Sequence, residues 1–197
     1  MPDDGREIAA STGTSLVNPA NVVTFARLCA VPLAVWLVVS HQVAWAFWLF
    51  VAAGLSDALD GWLARRFGGN TLGAALDPAA DKALLVSMYV TLGWVGVLPD
   101  WLAILVVFRD VLIVGGIVTL SVLGQTVAIR PLRISKLNTL LQIVLIGVAL
   151  LESGLGIGLP GLTLLLIWVV ALTTLASGAA YVWNVSRGEA GDASGPG

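Results

Sequence analysis

Residues 56–85 read SDALDGWLARRFGGNTLGAALDPAADKALL. Four aspartates, Asp57, Asp60, Asp77 and Asp81, stand in a stretch flanked on both sides by long apolar runs. Asp57 and Asp60 are three residues apart and Asp77 and Asp81 four apart, so in a helix each pair occupies one face. Between the pairs lie Gly68, Gly69 and Asn70, residues that favour a turn over a helix interior. The stretch therefore reads as two helices joined by a short polar connection, each carrying a carboxylate pair.

The surroundings of these helices are set by composition. Of 197 residues, 58% are hydrophobic and 11% charged, with a mean hydropathy of +0.94. A soluble domain carries about 25% charged residues, so lipid is the solvent this chain fits. Six apolar segments follow: Val22–Ser40, Val43–Arg66, Gly73–Leu98, Trp101–Gly124, Ile134–Leu151 and Leu162–Ser186. At about 20 residues per crossing, they predict an all-α polytopic membrane protein with six transmembrane helices. Residues 1–17 are expected to be a disordered cytoplasmic N-terminus, 18–187 the transmembrane catalytic domain and 188–197 a disordered C-terminus. The short connections at His41–Gln42 and Pro99–Asp100 predict tight antiparallel hairpins. No signal-peptide pattern opens the chain, and its one cysteine, Cys29, excludes an internal disulfide.

Arg6, Arg65, Arg66, Arg130, Arg133, Lys136 and Arg187 fall in the termini or in the second and fourth connections. The other connections hold His41, Asp100 and Glu152 but no Lys or Arg. This bias predicts that both termini and the aspartate-bearing connection face the cytoplasm, in a plasma (inner) membrane. Trp45, Trp48, Trp94 and Trp101 are expected at the opposite interface. A net charge of −2 gives no footprint for nucleic acid.

An aspartate at the centre of a span costs roughly 2.5–3.5 kcal/mol. Snorkelling to water and pairing with Arg65, Arg66 and Lys82 would accommodate one such residue. Four, in two helix-phased pairs, point instead to an all-oxygen cation site for Mg²⁺ or Mn²⁺. Two such ions are a common device for phosphoryl transfer. Gly61, Ala64 and Gly73, each near one turn from a carboxylate, leave room for a ligand, and Arg65 offers a planar fork to phosphate oxygens. A divalent-cation transporter is the alternative from another class. It would place the carboxylates nearer the bilayer midplane.

Asp57-x-x-Asp60-Gly61-x-x-Ala64-Arg65, seven residues, then Gly73-x-x-x-Asp77-x-x-x-Asp81 resembles the signature of the CDP-alcohol phosphatidyltransferases. Every signature position is filled. The resemblance implies a fold of six membrane helices, a homodimer, and a CDP-linked lipid whose pyrophosphate sits at a two-metal centre. It implies that Asp57, Asp60, Asp77 and Asp81 hold the metals and that Asp81 is also the general base. Gly61, Arg65 and Thr71 would contact CDP-diacylglycerol. Residues 18–27 (NPANVVTFAR) resemble the stretch that opens the first membrane helix of many such enzymes. By that likeness Asn21 and Thr24 lie near the nucleotide and Arg27 near the site. A helix cap at Asn18 or Asn21, with Arg27 snorkelling to lipid phosphate, accounts for the same residues.

The second half bears on the acceptor. Arg109 and Asp110 lie inside the fourth segment and are expected to face the bundle interior, either to bind substrate or to hold helices together. Arg130, Arg133 and Lys136 form a cationic cluster suited to an anionic acceptor or to the donor's phosphates. Arg109-Asp110-Val111 followed by Ser135-Lys136-x-Asn138-Thr139-x-x-Gln142 looks like the cardiolipin synthase branch, which implies phosphatidylglycerol as acceptor. The phosphatidylglycerophosphate synthase branch, which takes glycerol 3-phosphate, is expected to carry Glu at position 110 and Lys-x-Lys-Thr at 136–139. Pro32 reads as a kink, and Gly115–Gly116 and Ser177–Ala180 as sites of close helix packing.

Overall fold

The computed structural model describes residues 19–67, 73–122 and 133–186, with side chains described over 26–56, 82–122 and 134–185. The expected terminal tails, Thr71 and Arg130 lie outside the described residues. Six helices account for nearly all of the described backbone, and no strand occurs among the described residues. They are α1 (Pro19–Val39), α2 (Val43–Phe67), α3 (Gly73–Trp94), α4 (Asp100–Val122), α5 (Arg133–Leu155) and α6 (Pro160–Ser186).

The segments fall where the apolar runs lie, and the ends differ for local reasons. α1 and α6 begin earlier than expected, at Pro19 and Pro160, because proline's fixed φ and missing N–H suit the first helical position. α3 stops at Trp94 rather than Leu98. Gly96 takes φ +75°, and the amides of Gly96 and Val97 donate back to the carbonyls of Gly93 and Leu92, which is a Schellman cap. The α3–α4 connection is therefore Val95–Pro99. Asp100 opens α4, and α5 runs on to Leu155, so Asp100 and Glu152 are helical rather than connecting residues. The same cap closes α1, with His41 at φ 58° where glycine is usual. α1 continues through Pro32.

The helices close into a ring. α1 packs on α2, α2 on α5, α5 on α6, α6 on α4, α4 on α3 and α3 on α1, with a smaller α3–α5 contact across the middle. The sequence-adjacent helices α2 and α3 do not pack on each other among the described residues; α1 stands between them. The centre is filled by Met88, Tyr89 and Leu92 of α3, Leu145, Ile146 and Leu150 of α5, and Leu102, Val106, Val38 and Val170. Large apolar side chains also cover the outside, among them Trp36, Ile104, Phe108, Leu165 and Trp168. Helices apolar on all faces suit lipid surroundings. Among the described residues, α4, α5 and α6 are long and apolar enough to cross a membrane. Trp45, Trp48, Trp94 and Trp101 are all exposed, and Trp101 stacks on Trp168 with ring centroids 5.7 Å apart.

Close packing is more selective than the small-residue runs suggest. A Cβ at Gly116 would lie 2.5 Å from the Tyr181 hydroxyl of α6, whereas Gly115 has open space among the described residues. The closest approach to a neighbouring main chain was not anticipated. A Cβ at Gly154 of α5 would meet the α2 backbone at Ala44 N (2.7 Å) and Val43 C (2.8 Å).

Candidate active site at the α2–α3 end of the bundle

Helix geometry sets where the signature residues stand. Asp57, Asp60, Gly61, Ala64 and Arg65 belong to the second half of α2, and Gly73, Asp77 and Asp81 to the first half of α3. At 1.5 Å per residue, Asp57 and Asp60 lie about 15 and 10 Å from the end of α2, and Asp77 and Asp81 about 6 and 12 Å from the start of α3. The two carboxylate pairs thus occupy overlapping depths measured from the shared connection. Their side chains, and those of Gly61, Ala64, Arg65 and Gly73, lie outside the described set, as do those of Asn21, Thr24 and Arg133. Among the described residues no group of three or more His, Cys, Asp or Glu is placed to hold a metal. Hard carboxylate oxygens are the donor chemistry that Mg²⁺ and Mn²⁺ prefer.

Arg27 is described. It belongs to α1, the helix between α2 and α3, about 12 Å from that helix's start, and is only 4% exposed. Its side chain is buried, so a lipid-facing snorkel is not what the structure shows. Lys136 of α5 is exposed.

Arg109 and Asp110 of α4 face the interior, as expected of charges within an apolar helix. Arg109 Nη1 donates to Asp110 Oδ1 at 2.7 Å, and its Nη2 donates to the hydroxyls of Ser135 on α5 and Ser177 on α6, both at 2.6 Å. Asp110 Oδ2 takes an ion pair from Lys82 Nζ of α3 at 2.6 Å. One polar relay thereby joins four helices. The sequence named Arg109 but gave it no partners; Lys82 and Ser177 were missed as members. The available signals were Lys82 directly after Asp81 and a small hydroxyl in the run 177–180.

A second polar layer lies one turn further along α5. Asn138 Oδ1 accepts from the hydroxyls of Thr173 (2.8 Å) and Thr174 (3.0 Å) of α6. Tyr89 of α3 donates to the backbone carbonyl of Gln142 at 3.3 Å. Asn138 Nδ2, Gln142 Nε2 and Arg109 Nε are buried and have no hydrogen-bond partner among the described residues. This part of the interior is therefore rich in donors. A groove of about 760 Å³ lies between α3 and α4, lined by Val90, Trp94, Ile104 and Phe108, and a cavity of about 440 Å³ lies beside Glu152 and Thr163.

Apolar helices arranged as a ring, two of them with a carboxylate pair in their sequence, describe a membrane-embedded helical bundle. Residues 17–176 match the family model described as CDP-alcohol phosphatidyltransferase, and the chain belongs to that family. Its members are membrane-embedded enzymes of phospholipid biosynthesis. One relative is a cardiolipin synthase (CMP-forming)/mitochondrial hydrolase fusion protein of Schizosaccharomyces pombe. It is 34% identical over 82% of this chain and 30% of its own length. A CDP-diacylglycerol–glycerol-3-phosphate 3-phosphatidyltransferase 1, chloroplastic, of Oryza sativa subsp. japonica is 34% identical over 91% of this chain and 61% of its own. A probable phosphatidylglycerophosphate synthase of Mycobacterium tuberculosis is 34% identical over 87% and 83%. The chain thus spans less than two thirds of the length of the first two.

Proposed function

We propose that this chain is an integral-membrane phosphatidyltransferase that moves the phosphatidyl group of CDP-diacylglycerol onto a hydroxyl of phosphatidylglycerol, giving cardiolipin and CMP. The observation that carries the transferase reading is the complete aspartate signature, divided between α2 and α3 at overlapping depths. Membership of the family sets the transporter alternative aside.

In this reading Asp57, Asp60, Asp77 and Asp81 hold two Mg²⁺ or Mn²⁺ ions, which when bound offset the charge of the pyrophosphate and of the departing CMP. Gly61, Ala64 and Gly73 leave the backbone open to the nucleotide. Arg65, Thr71, Asn21, Thr24 and Arg27 orient the CDP-diacylglycerol. Asp81 accepts the proton of the attacking hydroxyl. That oxygen bonds to the phosphorus carrying the diacylglycerol, the bond from this phosphorus to the CMP oxygen breaks, and CMP leaves with the electron pair. Arg130, Arg133 and Lys136 attract the anionic acceptor.

Asp110 and Asn138 favour phosphatidylglycerol, because the alternative branch is expected to carry Glu and Lys at these positions. Phosphatidylglycerophosphate synthase, with glycerol 3-phosphate as acceptor, is the second reading, favoured by the rice and mycobacterial relatives. All six helices cross the bilayer as a homodimer, and the positive-residue bias puts the site on the cytoplasmic side of a plasma membrane.

The test is an acceptor screen on purified protein with labelled CDP-diacylglycerol and Mg²⁺ or Mn²⁺. Cardiolipin and CMP formed with phosphatidylglycerol, and no product with glycerol 3-phosphate, is the expected result. Phosphatidylglycerophosphate instead would keep the transferase and overturn the acceptor. No CMP with either, and no CDP-diacylglycerol binding, would sink the whole reading.

A further inference from the structure

Among the described residues α2 and α3 share no contact; each leans on α1, and α3 otherwise meets α4 and, lightly, α5. Over that length α3 is placed relative to α2 through its other neighbours. The Lys82–Asp110–Arg109 relay runs from α3 through α4 to α5 and α6, and α5 is the helix on which α2 packs. It therefore completes the route from α3 to α2 on the side of the ring opposite α1. Its α3 end is Lys82, the residue next to Asp81, so the anchor lies at the level of the carboxylate to be placed.

The geometry suits a brace. Arg109 is anchored in three directions by its planar fork, which a lysine cannot reproduce. Asp110 is shared between two cations, each on its own oxygen. Arg109 and Asp110 are buried, while the Lys82 side chain is 40% exposed. A partly exposed cation is thereby tied to a buried pair.

We infer that Lys82, Asp110 and Arg109 are positioning residues that set the placement of α3, and with it Asp77 and Asp81, against α2. The inference rests on the transferase reading above. It assigns Arg109 to the brace, since its Nη1 and Nη2 both donate to groups within the protein.

The test uses the full chain in lipid nanodiscs, with CMP release measured against CDP-diacylglycerol, acceptor and Mn²⁺ concentration. Mn²⁺ binding is read separately by electron paramagnetic resonance. Lys82→Met frees α3 while leaving the Arg109–Asp110 pair intact, so the bundle keeps its buried charges matched. Misplacing a reacting group by about 1 Å can cost about a hundredfold. Lys82→Met and Asp110→Asn are expected to lower kcat by about ten- to a hundredfold. They should also weaken Mn²⁺ binding several-fold with little change in KM for either substrate, and Lys82→Arg should restore most of both. If Asp110→Asn does not fold, the Lys82 pair of variants carries the test alone. Wild-type kcat and Mn²⁺ binding in folded Lys82→Met would overturn the inference. So would a rise confined to the KM of one substrate, which marks a substrate contact. A wild-type chain that releases no CMP would overturn the transferase reading instead, and that control is run first.

Discussion

Gly154→Ala tests the α2–α5 contact with a single methyl group. The added Cβ would lie 2.7 Å from Ala44 N, 2.8 Å from Val43 C and 2.9 Å from Ala44 Cα, all backbone atoms at the start of α2. Carbon contacts are most favourable near 3.5–4.0 Å, so the helices must separate by about 0.5 Å or more to admit it. Main-chain atoms cannot rotate away as a side chain would. Overpacking of this kind costs about 1–3 kcal/mol, or a fall in melting temperature of roughly 2–10 °C for a chain of this size. Gly147→Ala is the matched control on the same helix, because a Cβ there meets nothing within 4 Å among the described residues. Alanine's better helix propensity should make that change neutral or slightly stabilising. Gly116→Ala separates main-chain from side-chain obstruction. Its Cβ would meet Tyr181 Oη at 2.5 Å and Cε1 at 2.9 Å, so trimming Tyr181 to Leu in the same chain should recover much of the loss. No trimming of Val43 or Ala44 should rescue Gly154→Ala. The assay is thermal unfolding in a fixed detergent, followed by circular dichroism, on all four chains. Equal melting temperatures for Gly154→Ala and Gly147→Ala would refute the claimed backbone approach, and with it the seating of α2 on α5.

Three further outcomes are expected. Asp81→Asn should keep the melting temperature near wild type while lowering CMP release by about 10²- to 10⁴-fold, the span general-base catalysis supplies; single-turnover CMP release checks it. His41→Gly should raise stability by about 1 kcal/mol, since a non-glycine residue at positive φ carries a steric cost of that order, and the melting temperature should rise. Asn138→Ala removes the acceptor shared by Thr173 and Thr174. Interhelical hydrogen bonds in membranes are worth about 0.6 kcal/mol on average and at most about 1.7, so a modest fall in unfolding free energy by denaturant titration is expected.

Much of the fold was legible because the solvent is lipid. Apolar runs of about 20 residues have few readings, whereas the helix ends at Pro19, Trp94 and Pro160 were missed because hydropathy alone does not register the local steric signals of Pro19, Gly96 and Pro160. His41 was not legible as a cap, since nothing local distinguishes a histidine that adopts positive φ from one that does not. Helix neighbours were harder still. Segments apolar on every face carry almost no rotational phase, so the sequence could not say that α3 meets α4 through Lys82 and Asp110, or that α1 separates α2 from α3. The aspartates stood out because charge in an apolar helix is costly enough to demand a cause. Ser177 did not, because serine in such a helix commonly satisfies its hydroxyl on its own backbone. Only the tertiary structure shows it turned to Arg109.

Among the described residues α2 and α3 share no contact, which bears on the chemistry proposed. Directly packed helices stand about 8–10 Å apart with side chains interlocked, which leaves little space for a pyrophosphate between them. Two carboxylate-bearing helices held apart by a third can admit a phosphate group, provided their spacing is fixed by other means. α1 fixes one side and carries the buried Arg27 between the two aspartate helices. The Lys82–Asp110–Arg109 relay fixes the other through α4, α5 and α6. In the ring the alignment of α3 depends on the polar relay as well as on packing, which is why loss of one surface lysine is expected to reach the catalytic rate.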